Sequence, residues 1–296
     1  MRILDYVTIN VIPKPLCYNI LTDETQKTTE QTRYLIFTHF FAIMVLQQRK
    51  DGIIMEEIKA VGLVKRYRNI CAVDGLDIEI RKGELFSLLG VNGAGKTTVI
   101  KMLSCLTRPT GGEAFVGGYS IVREGEKVKG LIGTSPQETA VAQNLSVKEN
   151  LELICKIHGF SREKTKQRVE ELSESLSLDS VLSRKAGKLS GGWQRRVSIA
   201  MALVSEPRIL FLDEPTLGID VLARQELWDV IRSLKGKITV VLTTHYMEEA
   251  EALSDRIAIM KSGRVLALGT AEELKNATGC TRFEDAFVSI VKEAKV

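Results

Sequence analysis

The sequence predicts an α/β fold on a mostly parallel sheet, and three observations predict it. Short, largely apolar runs recur along the chain at Leu85–Leu89, Ile209–Leu212 and Ile238–Leu242. Helical stretches follow or separate them, as at Thr97–Leu106 and Ala223–Leu234. The first run ends in a glycine-rich loop that leads straight into a helix. Strands apolar on both faces belong inside a sheet covered by helices on each side, whereas a strand with one wet face alternates.

Taken in order, Leu76, Ile78 and Ile80 alternate with polar residues as a half-buried strand does, and Lys82-Gly83 marks the turn after it. Leu85–Leu89 is then a buried strand entering a loop. Between Gln137 and Leu189 the pattern turns helical. Ser146 with Glu149 three residues on makes a capping box, after which Leu151, Ile154 and Ile157 recur at helical spacing. Ser161 caps a second helix carrying Val169, Leu172 and Leu176. This reads as a helical insert in an α/β core.

Composition excludes several classes. A charged fraction of 26% beside a hydrophobic fraction of 44% is that of a globular chain, not a disordered one. A formal charge of +4, with no basic tract interleaved with aromatics, gives no reason to expect nucleic acid. Cys17, Cys71, Cys105, Cys155 and Cys280 are scattered without a CxxC pair, which fits reduced thiols. With only His39, His158 and His245 beside them, a zinc site is not expected. The longest apolar stretch, Tyr34–Leu46, is too short to span a bilayer.

Gly90-Val91-Asn92-Gly93-Ala94-Gly95-Lys96-Thr97, with Thr98 directly after it, fits GxxxxGK[ST] between a strand and a helix, the context that motif requires. The glycines let backbone N–H groups close on phosphate oxygens in front of the positive end of a helix. Lys96 is expected to reach the β- and γ-phosphates and the Thr97 hydroxyl to ligate magnesium. Ile209–Leu212 runs into Asp213-Glu214. A carboxylate at the end of a buried strand can hold magnesium, the expectation for Asp213, and Glu214 is then positioned as general base toward an attacking water.

Leu189-Ser190-Gly191-Gly192, followed by Trp193-Gln194-Arg195-Arg196, resembles the signature of the ATP-binding-cassette (ABC) family. The rest of that family's set stands in order. Tyr67 precedes the phosphate loop where the family has an adenine-stacking aromatic. Gln137 in Ser135-Pro136-Gln137-Glu138 matches the glutamine that contacts magnesium and faces the permease. Leu217-Gly218-Ile219-Asp220 resembles the D-loop, and Thr243-Thr244-His245 carries the switch histidine. The resemblance implies a phosphate-loop NTPase fold with an N-terminal antiparallel β-subdomain, and a helical subdomain over about 138–200 that carries the signature. It implies ATP and Mg2+ as ligands, an integral membrane permease as partner, and a place on the cytoplasmic face of the membrane. It further implies a second ATP-binding subunit, identical or different, whose Ser190, Gly191 and Gly192 equivalents close the nucleotide site.

Trp193 departs from the glutamine usual after the two glycines, which removes any nucleotide contact expected of that side chain. The string Thr244-His245-Tyr246-Met247-Glu248-Glu249-Ala250-Glu251 is similar to daunorubicin-resistance ATPases, so export of a drug, antibiotic or lipid-like substrate is expected. A single phosphate loop and a compact insert argue against the translation-factor and DNA-repair branches, and Glu214 with His245 argues against a non-hydrolysing regulator. The cassette is expected over 55–285, with 286–296 as a short tail. Residues 1–54 match nothing in the family and are either an extension or the product of a start assigned upstream of Met55. Arg49-Lys50-Asp51 can be encoded by codons resembling a bacterial ribosome-binding site, which favours the latter.

Overall fold

A computed structural model of the chain describes residues 56–294. The expectations for 1–54, with Cys17 and His39, lie outside the described residues. Two sheets organise the fold. The first holds β1 (Glu56–Tyr67), β2 (Ile70–Arg81), β4 (Gly111–Val116) and β5 (Tyr119–Ser120) in the order β2-β1-β4-β5, and its pairs are antiparallel. The second holds β3 (Leu85–Gly90), β6 (Ile132–Ser135), β7 (Ile209–Asp213), β8 (Thr239–Thr244), β9 (Arg256–Lys261) and β10 (Arg264–Gly269) in the order β10-β9-β3-β8-β7-β6. Every pair in it is parallel except β9 with β10.

Every residue of β3, β7 and β8 is buried, as the continuous apolar runs require. The two-residue strand period divides them between two cores. Phe86, Leu88, Ile209, Phe211 and Val241 face the antiparallel sheet and α1 (Lys96–Leu103). Leu85, Leu210, Leu212, Val240 and Leu242 face the helices on the opposite side. Fully buried side chains of this size each contribute roughly 1.5–3 kcal/mol, so the three strands form a stiff platform for whatever leaves their ends.

After α2 (Gly125–Lys129) and β6 come α3 (Val147–Ile157) and α4 (Arg162–Ser175), then two short 3-10 turns and α5 (Gly191–Leu203). Ser146 and Glu149 form the expected reciprocal capping box, and Ser161 accepts from the Lys164 amide. Leu151, Val169, Leu172 and Leu176 join the core, while Ile157 is 70% exposed. The remaining helices are α6 (Val221–Leu234), α7 (Met247–Leu253), α8 (Ala271–Thr278) and α9 (Phe283–Glu293).

Three boundaries differ from the sequence reading. The helix after the glycine loop stops at Leu103 instead of Leu106, because Cys105 turns left-handed at φ 59°. The third apolar strand begins at Thr239 and continues to Thr244, reaching His245. Position 285 falls inside α9, whose Phe283, Ala286 and Phe287 are buried, so the boundary drawn there cuts a packed helix.

Candidate nucleotide site

The strand order puts β8 between β3 and β7, so three C-terminal strand ends lie side by side: Gly90, Asp213 and Thr244. In parallel α/β sheets that edge is where ligands bind. The glycine loop leaves β3 and returns as α1, an eight-residue helix with no acidic residue in its first turn. Gly95 caps it at φ 103°, a conformation glycine adopts freely, and a Cβ there would run into the Ala72 carbonyl oxygen. Asn92 and Gly93 are exposed, while Ala94 packs inward.

Lys96 is 5% exposed and donates to the carbonyls of Gly90 at 2.7 Å and Val91 at 3.3 Å. Its Nζ also lies 3.5 Å from Glu214 Oε1. Burial pulls this ammonium below the ordinary lysine range, and the nearby Glu214 and Asp213 carboxylates pull it back up. An arriving phosphate would supply more of that compensation.

Asp213 and Glu214 occupy successive positions with different surroundings. Asp213 Oδ1 accepts from Thr97 Oγ1 at 3.0 Å and from Thr243 Oγ1 at 2.5 Å. Glu214 has a left-handed backbone at φ 48°, uncommon for a residue with a Cβ, and it persists because the amide is fixed. That amide donates to the Thr243 carbonyl at 3.1 Å and to Thr243 Oγ1 at 3.0 Å. The turn aims the carboxylate so that Oε2 meets His245 Nδ1 at 3.0 Å. Thr243 therefore orients both acids.

The signature forms a separate face. Ser190 is the N-cap of α5, is exposed, and makes no side-chain capping bond, so its hydroxyl is available. Gly192 approaches α6 so closely that a Cβ would lie 2.7 Å from that of Ala223. Asp220 caps α6, accepting from the Ala223 amide at 3.0 Å. Trp193 turns sideways and covers the Arg196 guanidinium, 4.6 Å from the ring centre, which in turn pairs with Glu226 at 2.8 Å.

Lys96, Thr97, Asp213, Glu214 and His245 thus form one connected cluster. Gln137 does not join it: the residue is exposed on the loop after β6. Arg195, one turn into α5, holds that loop by donating to the carbonyls of Pro136 and Gln137, both at 2.5 Å. Tyr67 sits at the end of β1, 44% exposed, with Lys65 Nζ 4.8 Å from its ring centre. In the sequence Arg195 and Thr243 stand only as neighbours within motifs. An arginine three positions after the glycine pair is the mark the sequence holds for the first, while its burial and the pairing of Asp213 with Thr243 belong to the fold.

Known proteins resemble this chain in sequence and in fold. A family model described as ABC transporter matches residues 73–217. The chain is 44% identical over 224 residues to the daunorubicin resistance ATP-binding protein DrrA3 of Streptomyces coeruleorubidus, covering 75% of this chain and 71% of that one. The chain belongs to the ABC transporter family. It is the ATP-binding, ATP-hydrolysing subunit of such a transporter. A second ABC relative, the daunorubicin/doxorubicin resistance ATP-binding protein DrrA of Streptomyces peucetius, is 42% identical over 223 residues, 75% of this chain and 68% of that one. Among solved structures, a dimeric ATP-binding cassette in a post-hydrolysis state with ADP and Pi superposes with a TM-score of 0.65 at 28% identity. That likeness covers 72% of this chain and 98% of the other. Among the described residues of this ABC subunit, no helix is long and apolar enough to cross a membrane.

Proposed function

We propose that this ABC subunit works as one of a pair beneath a separate membrane permease, at the cytoplasmic face, and powers export of a drug-, antibiotic- or lipid-like substrate. The export reading rests on the relatives named for daunorubicin and doxorubicin resistance. The permease-facing surface is proposed around Gln137, where a cleft of about 280 Å3 is lined by Pro136, Ala140, Ile154, His158 and Met201. The exposed Leu153 and Ile157 of α3 lie on the same helix as Ile154, and give that surface apolar contact area.

For the chemistry, the carrying observation is the Lys96–Glu214–His245 chain of contacts at the edge of three parallel strands. ATP lies with its phosphates in the loop Gly90–Thr98, the N–H groups and Lys96 meeting their charge. Tyr67 stacks on adenine, and Ser190, Gly191, Gly192 and Asp220 of a second subunit complete the enclosure. Glu214 takes a proton from the attacking water, and His245 orients Glu214 and the γ-phosphate. The paired oxygens of Thr97 and Asp213 suit magnesium, a hard cation that prefers oxygen ligands. Gln137, exposed outside that pair, would join as a third donor only after its loop moves toward them. When bound, the ion neutralises charge on the phosphates.

Glu214→Gln tests the assignment. Because proton abstraction contributes roughly a factor of 10²–10⁴, the variant is expected to bind ATP and pair, yet to release phosphate slower by about that factor. Unchanged turnover removes Glu214 from this role. Co-purification of a polytopic membrane protein with the native chain checks the permease assignment.

A further inference from the structure

Beyond the groups already given roles, one buried acid among the described residues stands without an ion pair. Glu249, in the first turn of α7, is wholly buried. Its Oε1 accepts from the Trp228 indole N–H at 3.1 Å, which ties it to α6. The carboxyl also faces the hydroxyls of Thr216 and Thr244. Thr216 lies two residues after Glu214, and Thr244 immediately precedes His245. Thr244 Oγ1 accepts from the Tyr246 amide at 2.9 Å, leaving its own proton to be donated toward Glu249.

Four buried side-chain polar atoms among the described residues lack a close partner, and three gather here: Glu249 Oε2, Thr216 Oγ1 and Arg224 Nε. Such orphans are rare in folded interiors. A carboxyl oxygen and a hydroxyl that face each other can satisfy both with a small movement of the loop behind Glu214. Arg224 extends the cluster outward: its guanidinium lies 4.7 Å from the Tyr246 ring centre, and that ring lies 4.1 Å from the His245 ring.

We propose that Glu249 is a positioning residue, gathering the loop behind Glu214, the strand end before His245 and helix α6 onto one buried acceptor, and so setting the distance between Glu214 and His245. The inference rests on the roles proposed for those two residues. A purely structural anchor would lower stability and leave turnover per folded molecule alone. A positioning residue acts on kcat.

The test is phosphate release by the purified full chain, normalised to folded protein, for Glu249→Ala, Glu249→Gln and Thr216→Val beside Glu214→Gln. A misplacement near 1 Å costs up to about a hundredfold, so Glu249→Ala is expected to lower kcat by about tenfold to a hundredfold with KM for ATP within about twofold. Glu249→Gln restores most of it, since its amide keeps an acceptor for Trp228 and offers a donor to Thr216. Thr216→Val, nearly isosteric, reproduces the loss, and covers the case in which Glu249→Ala does not fold. Normal kcat in Glu249→Ala or in Thr216→Val overturns the proposal. If Glu214→Gln also turns over normally, the underlying assignment falls as well; if Glu214→Gln is dead, only the role of Glu249 is lost.

Discussion

The Glu214 carboxylate and the His245 imidazole meet directly, Oε2 to Nδ1 at 3.0 Å. With an ionised carboxylate as acceptor, Nδ1 carries the proton and Nε2 is left to face elsewhere. Two duties of the histidine then separate by substitution. His245→Asn keeps a donor near the Nδ1 position but loses Nε2, whereas His245→Ala loses both. Glu214 orientation accounts for part of the effect if phosphate release falls further in His245→Ala than in His245→Asn. The expected loss in His245→Ala is about a hundredfold in kcat, the scale of one lost orienting group, with ATP affinity nearly unchanged. Equal rates for the two variants would remove the Glu214 contact from the mechanism.

Arg195 gives a second prediction. It is 4% exposed, burial pulls its guanidinium below the ordinary arginine range, and it donates to two carbonyls of the Gln137 loop. Arg195→Met removes the charge, packs similarly, and strands both carbonyls. Bonds to a charged donor are worth about 1.5–3 kcal/mol each, partly offset by relief of the buried charge, so a net loss of about 2 kcal/mol in urea denaturation is expected. Amide exchange at Gln137 and Glu138 should accelerate more than at β6. Uniform acceleration across the chain would mean that Arg195 supports the whole fold and not this loop.

Much of this site is readable along the chain because its parts are local. The phosphate loop, the Ser146 box and the Ser161 cap each need only a few consecutive residues to specify a turn or helix start, and each stands where the spacing puts it. What could not be read is relational. Thr243 bonds Asp213 across 30 positions, and Arg195 reaches Gln137 across 58, through a strand order that no local pattern encodes. The antiparallel sheet is similar: β1 pairs with β4, so that Ile58 faces Val116 across a long intervening stretch. Ile157 follows the helical period yet lies in solvent, because amphipathic spacing alone does not say which of its positions the tertiary fold covers.

The contact between the signature and α6 leads to a third prediction. Gly192 has no room for a side chain: a Cβ would approach the Ala223 Cβ to 2.7 Å. Alanine improves helix propensity by at most about 1 kcal/mol, whereas overpacking costs about 1–3 kcal/mol. Gly192→Ala should therefore destabilise by about 1 kcal/mol net, and push Ser190 away from Asp220. Adding Ala223→Gly reopens the space and should restore both stability and pairing in the Glu214→Gln background, read by urea denaturation and size-exclusion chromatography. A double variant no better than Gly192→Ala would contradict the steric origin of the effect.

The last prediction concerns pH and the Glu249 carboxyl. Burial away from water raises its pKa above the ordinary glutamate range, and the facing hydroxyls, the Trp228 indole and the Arg224 charge offset only part of that. Arg195 contributes a further positive charge nearby. The folded state therefore holds this proton more tightly than the unfolded chain does, whose glutamates titrate near about 4.3. The associated stability is fully present below that value and is lost as pH rises through the raised folded value. Glu249→Gln cannot ionise and has no such loss. Its stability relative to wild type should therefore increase from about pH 5 to about pH 8, as measured by urea denaturation at several pH values in that window. A difference that stays constant with pH would mean that the carboxyl ionises in the fold as readily as in water, so its buried surroundings would have to supply full compensation for the charge.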